Sequence, residues 1–265
     1  MRRDYKYAVN GKFTVASNKK AVCFANGNLQ YQASTDTWRF APHQYDIILN
    51  HAGNTTPSAN RQTQEDWIDL LYYGANGINN GQSCYQPWKV STNNADFYQG
   101  SISGTSADWG YAYSAVNDGQ WRTLTRNEWE YVISGRDGER FAKATVHGVP
   151  GLILIPDNKA SRLNQVNNAL ATYTANVIGE DFDRIYEVNG YVFLPCGGYG
   201  YNCSVGQIGK NNEPMSGFYH SATTYNGERR WFLQFKHGSG SGNSVVSMGH
   251  YRKSNAMCVR LVCDL

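Results

Sequence analysis

Apolar and polar positions along this chain alternate with a period of two in several short runs, the pattern of half-buried strands. KFTVAS, KAVCFANGNLQYQ and TDTWRFAP follow one another near the start, the second interrupted by the turn signal Asn26-Gly27, and they predict a β-meander. Residues 1–60 therefore read as a β-rich N-terminal part. ERFAKATVHG and GLILIPD predict two more strands joined at a Gly-Val-Pro turn, with GLILI apolar enough to be buried on both faces. In the last third, from Gly190 to Leu265, GYVFLP, RRWFLQFKHG and MCVRLVCDL supply at least three strands. Trp231, Leu233 and Phe235 alternate there with Phe232, Gln234 and Lys236. Met257, Val259 and Leu261 alternate with Cys258, Arg260 and Val262, so one face of each strand is core.

Two stretches switch to the helical period. Thr63 followed by Asp66 fits a capping box, Trp67, Leu70 and Leu71 share one helical face, and Gly74 ends the segment, which predicts a short amphipathic helix. WRTLTRNEWEYVISGR predicts a second: Thr125 is the N-cap with Glu128 three residues on, Leu124 and Trp129 stand as a hydrophobic staple, Val132 and Ile133 continue the buried face, and Gly135 stops it. Residues 76–119 hold no sustained period, and Trp88, Phe97, Tyr98, Trp109 and Tyr111 predict long loops packed by their own aromatics. Residues 158–188 form a polar insertion whose RLNQVNNALATYTANVIG shows no clean stripe, and no element is assigned to it. No internal repeat and no linker divides the chain, so 1–265 reads as one domain of α+β class.

Composition narrows the function classes. A hydrophobic fraction of 41% with 14% aromatic supplies a real core, while only 17% of residues are charged and the net charge is +3. That balance gives no electrostatic case for nucleic acid or an anionic membrane. No stretch approaches the ~20 apolar residues of a membrane span, and the first residues lack the apolar run of a signal peptide. The 19 Tyr, 7 Trp and 27 Gly are the composition of a loop-rich recognition surface, because Tyr and Trp offer rigid contact area at small entropic cost. Six scattered cysteines, in a chain long enough to do without staples, are expected to be free thiols.

GNLQYQASTDTWRFAPHQYD, WRTLTRNEWEYVISGR, GYVFLPCGGYG and the closing CVRLV, in that order, resemble a group of gut-bacterial and phage proteins with a C-type lectin fold. The middle segment is also similar to the corresponding helix of the formylglycine-generating enzymes of that fold. The resemblance implies small twisted antiparallel sheets, two short helices, long loops and neighbouring chain ends. The last third further resembles the variable proteins of diversity-generating retroelements, of the gut Bacteroides and phage type. There a reverse-transcriptase system rewrites adenine-templated codons between fixed scaffold strands. Carried onto residues 190–265, that resemblance implies a ligand-binding part with contacts at Tyr201, Phe218, His220, Thr224, Tyr225, Arg230, Phe232, His237, His250, Tyr251, Ser254 and Asn255. Cys203, Ala222 and Gly249 would vary with them, while Trp231, Leu233, Phe235 and residues 259–262 would be scaffold.

Enzymatic and metal chemistry find little purchase in the residues. Formylglycine-generating enzymes use a cysteine pair upstream of the final strand. Cys258 and Cys263 instead lie on that strand at an odd step that turns them to opposite faces. The histidines, at 43, 51, 147, 220, 237 and 250, show no zinc-ligand spacing. Asn212-Glu213-Pro214-Met215, Gln86-Pro87-Trp88 and Val116-Asn117-Asp118 each miss the oxygen-ligand motifs of calcium-dependent lectins. GGYGYN and GSGSGN are turns rather than phosphate cradles, and Glu180, Asp181 and Asp183 sit in a polar loop. The expectation is a non-enzymatic protein without catalytic residue, cofactor or metal, at a virion or bacterial surface, binding an unspecified protein or glycan, with a homo-oligomer allowed. A formylglycine-generating enzyme and a structural fimbrial or tail-fibre subunit are the alternatives.

Overall fold

The computed structural model describes residues 7–116, 120–207, 216–236 and 245–265. The predicted contact His237, the 212–215 stretch, the pair Asn117-Asp118 and the GSGSGN run lie outside the described residues.

The molecule is mixed α+β, with several small, mostly antiparallel sheets and few helices. β1 (Phe13–Thr14) and β2 (Ala21–Phe24) open it, followed by β3 (Leu29–Gln32) and β4 (Thr37–Phe40). Single turns α1 (Ala52–Thr55) and α2 (Ser58–Arg61) lead to β5 (Trp67–Ile68). Then come α3 (Trp109–Val116), β6 (Trp121–Arg122) and α4 (Arg126–Glu130), the last continued by a π-turn over Tyr131–Gly135. β7 (Phe141–Val146), β8 (Val149–Leu154), β9 (Val177–Ile178) and β10 (Val192–Pro195) make one sheet in the order β10-β8-β7-β9. β11 (Tyr199–Tyr201) and β12 (Ser204–Gly206) form a small hairpin. β13 (Ser216–Thr224), β14 (Arg229–Lys236) and β15 (Val245–Arg252) form a three-stranded sheet, and β16 (Val262–Asp264) returns to pair with both β2 and β6.

The predicted helix at 125–135 forms as its sequence dictates. Thr125 accepts from the Glu128 amide while the Glu128 carboxylate accepts from the Thr125 amide, a complete capping box. Trp129 is wholly buried, tilts against Phe24 with ring centroids 5.7 Å apart, and donates its indole N–H to the His220 carbonyl at 3.1 Å. Leu152, Tyr219, Leu233 and Phe235 join the same core, so α4 lies between the N-terminal sheet and the underside of β13–β14.

Other expectations need correction. Residues 63–74 are not a helix: β5 pairs with β3, and Leu71 exchanges backbone bonds with Met257. Ile68 to Tyr73 are all buried, which one helical face cannot accommodate, and the non-local partners prevail over the local period. A helix forms instead at Trp109–Val116, within the stretch read as loops. Asp108 starts it by accepting from the Gly110 amide at 2.9 Å, and it also binds Thr123 through both amide and hydroxyl. The Asn26-Gly27 turn does not close a hairpin, since β2 pairs with β1 and β16 while β3 pairs with β4 and β5. The closing MCVRLVC run is buried on both faces, and Arg260 is held there by the carbonyls of Ala25 and Phe193 and by Asn28. The cysteines are not all free. Cys23 and Cys263 face each other on paired strands with Cα atoms 5.5 Å apart and are disulfide-bonded, an approach invisible across 240 residues of sequence. Cys84, Cys196, Cys203 and Cys258 are free.

Candidate ligand-binding face

The candidate face is built on β13–β15, and the strand register decides which side chains share a side. Trp231 stands opposite His250 and Arg229 opposite Arg252. Two residues apart on each strand, these four point to one side, the side that carries Leu233, Phe235 and Met248 into the core farther along. The strands thus leave the core at the Arg229–Arg252 end, and Trp231, though it belongs to the apolar alternation, ends half-exposed.

Tyr225, in the turn between β13 and β14, stacks flat on His250 with centroids 4.0 Å apart and an angle of 3°. Trp231 stands nearly perpendicular to both, at 5.2 Å from Tyr225 and 5.3 Å from His250. The Arg126 guanidinium, from the first turn of α4, lies 4.9 Å over the Trp231 ring, and Arg229 approaches His250 Nδ1 at 3.5 Å. Tyr225 is 47% exposed, so its ring presents an open face. The turn that holds it is shaped by Thr224, whose hydroxyl donates to the carbonyls of Asn226 and Arg229.

The opposite side of the sheet carries Tyr251, 46% exposed, beside Tyr199 at 6.1 Å, over a small apolar layer of Phe218, Phe232 and Met257. Tyr201 is exposed on β11, next to the bridge between Gly200 and Ala256.

Beneath the rings lies a buried polar frame. Arg230 is fully buried and donates to His220 Nδ1 at 3.3 Å, to the Arg252 carbonyl at 2.8 Å and to the Asn255 carbonyl at 2.6 Å. His220 Nε2 lies 2.8 Å from the Leu71 carbonyl, so the neutral tautomer protonated at Nε2 satisfies both contacts. Burial, then the adjacent Arg230 charge, holds His220 well below the ordinary histidine range. Burial also brings Arg230 down to about 9. Lys253 donates to the carbonyls of Gln99 and Gly227, tying the Tyr225 turn to the loop at 99. Burial, then Arg230, brings it down to about 8.

Six predicted contacts, Phe218, His220, Arg230, Phe232, Ser254 and Asn255, are therefore inside the protein, where they support the face rather than form it. Tyr225, His250 and Tyr251 are at the surface, Thr224 shapes the turn, and Tyr201 stands apart on β11. No family model, curated protein or solved structure matches this chain. Trp231 and Arg126 were missed as surface groups. The alternation of β14 assigned Trp231 to the core side correctly but could not show where that side emerges, and Arg126 reaches it only through the packing of α4.

Clefts elsewhere are lined by Lys159, Arg162, Arg184 and Tyr186 and by Thr14, Arg136 and Asp157, and neither takes a residue from β13–β15. Among the described residues no helix is long and apolar enough to cross a membrane, and no group of three or more His, Cys, Asp or Glu side chains is placed to hold a metal.

Proposed function

We propose that this is a non-enzymatic binding protein on a C-type lectin scaffold, displaying a recognition surface from its C-terminal third and diversified by a retroelement. Its setting would be the surface of a virion or bacterium, where it engages a protein or glycan. The observation that carries this reading is the Tyr225–His250–Trp231 cluster with Arg126 and Arg229, the residue types of binding hot spots, seated on a hydrogen-bonded frame that fixes the geometry before any ligand arrives. A preorganised surface of rigid aromatics loses little entropy on binding. Cys263 is bonded to Cys23, and Cys258 is buried with its thiol pushed well up, first by that burial; neither has the character of an activated thiol, which favours binding over formylglycine-type chemistry.

Protein and glycan arrays probed with the purified chain test the reading. Specific binding that Tyr225→Ala or Tyr251→Ala removes, with stability unchanged to about 0.5 kcal/mol, is expected of surface contacts. A ligand bound equally by both variants would put the contact elsewhere on the molecule, and no ligand at all would favour a structural subunit. The diversification part is separable: the locus should hold a reverse-transcriptase gene and a near-copy of the C-terminal codons.

A further inference from the structure

The two edges of the β13-β14-β15 sheet are treated differently. The outer backbone of β13 is occupied: His220 donates to the Cys258 carbonyl, Cys258 to Phe218, Gly198 to Ser216, and Ala222 to Leu124. Its pairing with β14 is also broken by a register shift between His220 and Thr224. Among the described residues β15 has neither protection. It pairs with β14 without a break from Val245 to Arg252, and among the described residues no other backbone bond leaves residues 245–251. An antiparallel edge strand turns the amide and carbonyl of every second residue outward, and proteins ordinarily blunt such an edge with proline, a bulge, lysine or a covering segment. VVSMGHYR contains no proline, lysine or bulge.

Charge and rings concentrate at one end of this edge. Arg229 and Arg252 are exposed, Arg230 and Lys253 are buried behind them, and among the described residues none of the four forms an ion pair. The buried pair is satisfied by carbonyls and an imidazole, which neutralise no charge. Glu228, in the same turn, accepts from the Lys253 amide through its backbone carbonyl, and among the described residues its carboxylate forms no ion pair with any of the four. The surplus positive potential lies where His250 and Tyr251 present their rings, while the other end of β15 begins with Val245 and Val246.

We infer that β15 is a docking edge for an extended acidic segment of a partner protein. The segment would add as a fourth, antiparallel strand, with its acidic N-terminal half against Arg229 and Arg252 and its apolar half beside Val245 and Val246. This rests on the binding reading above and names the class of partner. Backbone pairing supplies affinity and the arginine end supplies direction and choice of sequence. An acidic polysaccharide would satisfy the arginines but not the row of amides and carbonyls, so the open edge favours polypeptide.

The test uses the full chain and a fluorescein-labelled peptide of two glutamates followed by alternating threonine and valine, titrated by anisotropy. Three comparisons are expected to weaken binding by about tenfold or more: methylation of the backbone nitrogens that face the edge, lysine in place of the glutamates, and Arg252→Glu or Arg229→Glu in the protein. Hydrogen exchange on the same samples should show β15 amides newly protected by the peptide, which also verifies that the variants are folded. Equal binding of the methylated peptide, equal binding of the lysine peptide, or no peptide binding would overturn the inference. If polygalacturonate binds instead and Tyr225→Ala abolishes it, the display surface stands while the edge-docking inference falls.

Discussion

Replacing Trp129 by alanine probes the joint between scaffold and face. The indole has no exposed surface and sits in the core with Phe24, Leu233 and Phe235, and its N–H is the hydrogen bond to the His220 carbonyl. Loss of the ring in a core that closes incompletely costs about 3 to 5 kcal/mol. The orphaned carbonyl adds about 1 kcal/mol or more unless water reaches it. The expected loss of about 4 to 6 kcal/mol would consume much of the stability of an ordinary domain. Trp129→Phe, which keeps most of the ring and removes only the donor, should lose about 1 to 3 kcal/mol and remain folded. Urea unfolding followed by circular dichroism measures both. A change below about 1 kcal/mol in the alanine variant would refute the argument that α4 anchors the underside of β13–β14.

Further predictions concern other parts of the frame. Thr125→Ala breaks the capping box and should cost about 1 kcal/mol in the same unfolding assay; no loss would mean the cap is idle. Thiol titration in denaturant without reductant should count the four free cysteines, and six would contradict the Cys23–Cys263 pairing. Replacing both paired cysteines by serine should lower stability by as much as about 5 kcal/mol, the chain-entropy limit for so long a loop. Lys253 gives a pH signature. Its folded value of about 8 lies below the ordinary 10.5, so in that window the unfolded chain holds a proton that the folded state has released. Wild-type stability should therefore rise with pH relative to Lys253→Met between those values, by up to about 1.4 kcal/mol per pH unit, and level off below about 8. A pH-independent difference would contradict the burial of that ammonium.

Local signals were the legible ones. The 125–135 helix could be read because Thr125, Glu128 and Trp129 act within one turn of each other. β8 and β10 could be read because their apolar residues run without interruption, and β14 because its apolar residues repeat at the strand period. The 63–74 stretch carries an equally good local signal, but Leu71 finds its partner at Met257, far away in sequence, and no local rule weighs that bond. α3 was hidden because Gly110 and the exposed Tyr111 interrupt its apolar face, leaving Asp108 as the one readable signal. Within the face, polar residue types suggested exposure. Arg230, His220 and Asn255 contradict that, since carbonyls converging from β15, Leu71 and the 252–255 turn satisfy Arg230 and His220 inside the protein. Which polar residues are display and which are frame depends on where the sheet leaves the core, a property of packing.

Sequencing sibling copies of the gene across codons 199–255 measures that division directly. Substitutions should concentrate at surface positions such as Tyr225, Arg229, Trp231, His250, Tyr251 and Arg252, with Phe218, His220, Arg230, Phe232, Ser254 and Asn255 unchanged. Substitutions spread equally over the buried frame, or siblings identical across the whole stretch, would contradict it.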